Sequence, residues 1–145
     1  MIYLGGPYSS QTFEEHKLNI GRFMCYKIWI YIDGTEDMPV VCWPLETSGF
    51  DYGERLSQLP WLQWAIQLCG RVTFAAFVPG WERSPGSQQE LEYFKKAGIP
   101  VRLLPYIGAD TAGRIKTELT KMGRYCTYGA WAKAYLKHIL ENNHG

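Results

Sequence analysis

Arg71-Val72-Thr73-Phe74-Ala75-Ala76-Phe77-Val78-Pro79-Gly80 is the stretch on which the reading of the fold turns. Its apolar run is nearly continuous and lacks the polar alternation of a half-solvated strand, which is the pattern of a central strand covered on both faces. Pro79-Gly80 breaks it. A loop from Trp81 to Gly86 follows, then a helix that opens at Ser87 and runs to Ala97 with Gly98 as its cap, and then a strand from Val101 to Leu104. Strand, helix and strand in that order make a parallel crossover unit.

Upstream the same alternation holds. Met1-Ile2-Tyr3-Leu4 reads as a buried strand stopped by Gly5-Gly6-Pro7. Thr12 is the expected N-cap of the next helix, with Glu15 three residues on. Its apolar face runs through Phe13, His16 or the Lys17 stem, Ile20, Phe23 or Met24, Tyr26 or Lys27 and Ile30, and Asp33-Gly34 ends it. Val40 to Trp43 is a second strand stopped by Pro44. The polar segment from Leu45 to Gln58 is a loop of the length that often carries function, and Pro60 starts a helix through Leu68. Alternating strands and helices predict an α/β fold: a Rossmann-like three-layer sandwich with a parallel sheet of four to five strands and helices on both faces. Ligands of such folds sit beyond the carboxyl ends of the strands, here the loops at 5–10, 44–58 and 79–90.

Downstream, Thr111 to Met122 and Tyr128 to Glu141 are helical. The second carries an apolar stripe of Trp131, Tyr135, Leu136 and Ile139, suited to packing on the core or on a partner subunit. With no internal repeat and no low-complexity linker, the expected division is an α/β domain over 1–108 and a C-terminal helical extension over 109–145.

Composition narrows the function classes. A chain of 145 residues, 46% hydrophobic and 20% charged, is a compact domain rather than a disordered tail, and its aromatic share of 15% is high. Fifteen Lys and Arg stand against fourteen Asp and Glu, so the net charge of +1 supplies no field for holding a nucleic-acid polymer or an acidic membrane. The longest apolar stretch, Met24 to Ile32, contains Lys27 and is far shorter than the ~20 residues a spanning helix needs. No basic leader precedes the first strand, so a soluble, cytoplasmic protein is expected. Cys25, Cys42, Cys69 and Cys126 are irregularly spaced with no CxxC pair, which suggests buried free thiols and neither a metal site nor a cofactor. His16, His138 and His144 have no partner at useful spacing and are expected at the surface or at helix ends.

The chemistry-bearing segment runs from Val78 to Glu90. A Ser- and Gly-rich loop leads into a helix N-terminus, where free N–H groups and the dipole favour an anion such as phosphate. Glu90 is expected in that helix's first turn. There the dipole would help hold it ionised, as a carboxylate nucleophile requires. The other reading of Ser87-Gln88-Gln89-Glu90 is an ordinary capping box in which Glu90 folds back onto the Ser87 N–H, the same pattern as Thr12 to Glu15. Local sequence favours capping, because such boxes are common and catalytic carboxylates are rare.

Three segments in order bear a resemblance: Met1-Ile2-Tyr3-Leu4-Gly5-Gly6-Pro7-Tyr8-Ser9, then Pro79-Gly80-Trp81-Glu82-Arg83-Ser84 with Gly86 and Glu90, then Ala97-Gly98-Ile99-Pro100-Val101. Together they resemble the nucleoside 2-deoxyribosyltransferase superfamily, above all its small phage members, over roughly residues 1–104. The resemblance implies a flavodoxin-like sandwich assembled as a dimer or higher homo-oligomer. It also implies an enzyme in which the Glu attacks C1′ of a 2′-deoxynucleoside or nucleotide, releasing the base and leaving a sugar ester that another base or water resolves. Carried over, Glu90 is the nucleophile and Tyr8 lies near it and the sugar. Ser84 and Ser87 belong to the loop that holds a 5′-phosphate in the nucleotide-hydrolysing branch. Gly5, Gly6, Pro7, Ser9, Trp43, Gly80, Trp81 and Gly86 complete the expected substrate site. The glycines let the chain approach a ligand, or simply turn.

The sequence also departs from that family. Leu62, or Gln63 in a neighbouring register, stands where an Asp assists the leaving base, and Gly70 replaces a second Asp. General acid–base help is typically worth about 10²–10⁴ in rate, so transfer or hydrolysis would be slowed. Asp51 and Glu54 are the nearest acids in the preceding loop, and Leu45-Glu46-Thr47-Ser48 lacks the histidines common in the phage relatives. Trp43, Trp61, Trp64 and Trp81 fall on ligand-side segments, where an indole can stack on a base for about 1–3 kcal/mol or else serve as core. Two functions are therefore carried forward. One is an N-glycosidic-bond enzyme; the other is a relative that has lost the chemistry and sequesters a nucleotide-derived metabolite or signal.

Overall fold

The computed structural model describes residues 2–7, 11–34, 40–41, 72–123 and 128–142. Four strands, β1 (Ile2–Gly5), β2 (Val40–Val41), β3 (Phe74–Phe77) and β4 (Val101–Leu103), alternate with helices α1 (Phe13–Ile32) and α2 (Pro85–Lys96). Helices α3 (Ala109–Met122) and α4 (Gly129–Glu141) follow. The strands pair in parallel in the order β2-β1-β3-β4. That is the order of flavodoxin-like doubly wound sheets, whose switch point lies between β1 and β3. The α/β architecture is the one expected. The lower bound of four strands is reached only by counting β2, which pairs through two residues; the expected continuation of β2 into Cys42 and Trp43, and the helix from Pro60, lie outside the described residues.

Register fixes which residues face which layer. Tyr3 pairs with Ala75 and Gly5 with Phe77, so these four share one face, and α2 covers it with the Phe94 ring 4.8 Å from that of Tyr3. Leu4, Ala76 and Phe74 point to the opposite face, and on the α1 side the Phe23 ring lies 3.3 Å from where a Cβ on Gly6, just past β1, would stand. The Tyr26 hydroxyl donates to the Pro105 carbonyl at 2.7 Å, tying α1 to the segment after β4. Tyr3, Leu4, Ala75, Ala76, Phe77 and Val78 are all at most 1% exposed, as a strand covered on both sides requires.

Helix α1 starts and stops as its residues dictate. The Thr12 Oγ1 accepts from the Glu15 N–H at 3.1 Å, and Glu15 Oε2 accepts from the Gln11 N–H at 3.0 Å. At the other end Asp33 donates its N–H to the Trp29 carbonyl, and Gly34 takes the positive φ of +94° that lets the chain leave the helix. Helix α4 packs on α1, and Gly21 is why the two come so close: a Cβ there would collide with the Trp131 carbonyl oxygen. Tyr135, Leu136 and Ile139 of the expected stripe are buried in this contact, with Trp131 half-buried against it. The ion pair from Arg114 of α3 to Asp33, 2.9 Å, is about half exposed and contributes at most about 1 kcal/mol.

One side chain departs from the expectation and another meets it. His16 is fully buried, with its ring edge-on to Trp131 and stacked near Phe13, and is not a surface residue. Its place on the apolar stripe of α1 outweighs its polarity. Cys25 is a buried free thiol, donating to the Ala132 carbonyl at 3.4 Å, while the other three cysteines lie outside the described residues. Among the described residues no helix is long and apolar enough to cross a membrane.

Candidate functional site

The loops after β1 and β3 meet at the switch point. Gly80, with φ +100°, turns the chain after Pro79, and a Cβ built on it would lie 3.1 Å from the Pro7 Cγ. A single-turn 3₁₀ helix, Trp81–Arg83, leads to Ser84, the N-cap of α2. The Ser84 Oγ accepts from the Ser87 N–H at 3.3 Å and from the Ser87 hydroxyl at 3.0 Å. Pro85 occupies the first helical position, where its missing N–H costs nothing and its fixed φ suits the helix.

The helix therefore begins two residues before the expected Ser87, and this changes the place of Glu90. It is the sixth helical residue, in the second turn rather than the first. The capping-box reading is overturned, because Ser84 and not Ser87 caps the helix. With that start, Ser87, Glu90, Leu91 and Phe94 form the buried stripe of α2 at helical spacing. Glu90 is 7% exposed, and its Oε2 accepts a hydrogen bond from the Tyr3 hydroxyl on β1. Tyr3 is held between Phe94 and Phe77, whose ring centroid lies 6.3 Å away.

Burial, not the dipole, sets the charge of Glu90. The helix dipole fades beyond the first turn. Removal from water pushes the carboxyl from its ordinary 4.5 up to about 7, with the Tyr3 hydrogen bond pulling in the opposite direction. The carboxyl is thus near half-ionised at neutral pH. A buried carboxyl poised there, with a hydroxyl donor fixed on one oxygen, can act as a proton-transfer group or as a nucleophile.

The remaining expected site residues divide. Glu90, Pro7, Gly80, Ser84 and Ser87 are gathered around the β1 and β3 ends, but both serine hydroxyls are engaged in capping α2. Gly5 and Gly6 have an internal reason to be glycine: a Cβ on the first would lie 2.6 Å from the Phe77 ring, and on the second it would strike the Val78 side chain. Around Gly86 a Cβ would meet nothing within 4 Å. Trp81 is half-buried and packs against the core. Tyr8, Ser9 and Trp43, together with Asp51, Glu54, Trp61, Leu62 and Trp64, lie outside the described residues. Tyr3 was not among the expected site residues; the signal was a phenol in an otherwise aliphatic buried strand, where its hydroxyl needs a partner. Among the described residues no three His, Cys, Asp or Glu side chains form a metal-ligating group.

Comparison of the chain with protein-family models, with curated proteins and with solved structures finds no match. The functional reading therefore rests on the residues themselves.

Proposed function

We propose that this chain acts on the N-glycosidic bond of a nucleoside or nucleotide, as a 2-deoxyribosyltransferase or deoxynucleotide N-hydrolase, with Glu90 as nucleophile. The observation that carries the reading is the buried Glu90 carboxyl, reaching from the helix after β3 to the Tyr3 hydroxyl on β1 and so spanning the switch-point boundary. A glutamate on a buried stripe, its carboxyl pushed up to about 7, is costly to keep for packing alone. In the reaction, an ionised Glu90 oxygen bonds to C1′ as the C1′–N bond breaks and its electron pair leaves with the base, which takes up a proton. Water or a second base then displaces Glu90 and restores the carboxylate. Tyr3 holds the carboxylate's orientation and favours its charged form. The substitution of Leu62 for the family's acid predicts slow turnover, and the resemblance carries a cytoplasmic homo-oligomer with it.

The test is incubation with a panel of nucleosides and their 5′-monophosphates, with free base followed by chromatography. Base release that disappears in Glu90→Gln supports the reading; release that persists in that variant ends it. The second reading, a protein that sequesters a nucleotide-derived ligand, draws on the two absent acids and on a Glu90 that burial keeps half-protonated. It predicts an intact nucleotide recovered from protein loaded in cell extract, with no base release.

A further inference from the structure

A cleft of about 420 Å³, lined by neither Glu90 nor Tyr3, opens among α1, the turn after β3, the segment after β4 and α4, and its walls include Arg22, Arg83, Tyr106, Tyr135 and His138. Three basic side chains and no acidic one line it, in a chain whose total charge is only +1. Among the described residues neither guanidinium has a carboxylate partner. Each is nevertheless placed. Arg22 donates to the Asn19 Oδ1 at 3.1 Å and lies over the Tyr135 ring, 5.5 Å from its centroid. Arg83 folds back over the β3 turn, with its Nη2 3.5 Å from where a Cβ on Gly80 would stand, so the glycine clears room for it. At the rim, Tyr106 leaves 66% of its surface exposed.

We propose that this cleft binds a phosphomonoester that carries a planar ring. Two guanidinium forks, one from α1 and one from the turn after β3, match a multi-oxygen dianion, which accepts several charge-assisted hydrogen bonds at once. His138, whose Nδ1 lies 3.3 Å from the Asn142 Nδ2, adds an imidazole to the cleft wall. Tyr135 is a buried phenol whose pKa desolvation raises while the hydrogen-bonded Arg22 opposes the shift, and that contact helps hold the Arg22 guanidinium at the cleft wall. The exposed Tyr106 ring supplies a stacking face at the mouth. The volume falls in the range of about 300–1,000 Å³ usual for small-molecule sites, which suits a monomeric phosphate ester. The cleft shares Pro79 and Gly80 with the loop of the candidate site, but neither Glu90 nor Tyr3 lines it, so binding there does not require Glu90 to react.

Phenyl phosphate is a suitable probe, since it has the phosphate and the ring but no glycosidic bond for Glu90 to attack. Calorimetric titration of the full chain with phenyl phosphate, inorganic phosphate and phenol, combined with backbone amide shift mapping, tests the proposal. Phenyl phosphate is expected to bind most tightly, inorganic phosphate more weakly and phenol not detectably, with shifts centred on Gly80, Arg83, Tyr106 and Tyr135. Arg83→Gln, at an exposed position, and Arg22→Gln, whose amide can still reach Asn19, should each weaken binding at least tenfold with the amide spectrum otherwise retained. Affinity unchanged in both variants, shifts confined to Tyr3 and Glu90, or phenol binding as well as phenyl phosphate would overturn it. Loss of base release in the nucleoside panel leaves this result untouched, so the two failures are distinguishable.

Discussion

Thr12-Phe13-Glu14-Glu15 and Ser87-Gln88-Gln89-Glu90 present the same four-residue signature and do opposite things. In the first, the hydroxyl caps the helix and the glutamate, exposed to water, reaches back to a backbone N–H. In the second, Pro85 draws the helix start upstream to Ser84, so the same four residues lie inside the helix. Moving the N-cap three positions, from Ser87 to Ser84, rotates a glutamate from the capping end onto the face that packs on the sheet. One box stabilises a helix end; the other delivers a carboxyl into the interior, against Tyr3.

The largest expected effect separates the two glutamates by activity. Glu90→Gln should lower base release by roughly 10³-fold or more, as removal of a covalent nucleophile does, while Glu15→Gln leaves it within about twofold. Comparable losses from both would show that each acts only through helix stability.

Stability should reveal the same contrast with the opposite sign. Because the folded-state value for Glu90 is raised to about 7 against the ordinary 4.5, the folded protein is favoured below 4.5 and loses that advantage as pH rises through about 7. Glu90→Gln removes the loss, so the variant should be more stable than the parent above pH 7, by up to about 3 kcal/mol, and equal to it at pH 4. Denaturant unfolding at both pH values measures this; a variant less stable at neutral pH contradicts it.

Tyr3→Phe is a smaller change. Removing the Tyr3 hydrogen bond, which favours the charged carboxylate, should push the Glu90 carboxyl above about 7. The rising limb of the pH–rate profile then moves to higher pH while the maximal rate at high pH falls less. An unshifted limb would detach Tyr3 from the nucleophile. The smallest effects are those of the caps. Thr12→Ala and Ser84→Ala should each cost about 1 kcal/mol of stability, and Ser87→Ala less, since its N–H still reaches Ser84. Equal costs at Ser84 and Ser87 would restore the later helix start.

Much of the fold was legible because it is written in short-range pattern. The apolar run around Phe74–Phe77, the Thr12 cap and Asp33-Gly34 stop of α1, and the stripe of α4 each specify their element locally. His16 follows position rather than polarity: its spacing with Ile20 and Phe23 places it on the buried face of α1. The candidate site was legible only in part. Glu90 stood out by its loop, but its true setting depended on Pro85 outranking Ser87 as a start signal, and its partner Tyr3 lies 87 residues away. The cleft of Arg22, Arg83 and His138 draws on three separate segments, and no spacing in the chain announces it.

Whether Glu90 is an interior carboxyl or a capping one can be reported by the carboxyl itself. With ¹³C-labelled glutamate assigned through the Glu90→Gln variant, the Glu90 side-chain resonance should titrate near pH 7 and move higher in Tyr3→Phe. Titration near the ordinary 4.5, indifferent to Tyr3, would place Glu90 at the solvent-exposed end of its helix and contradict the account.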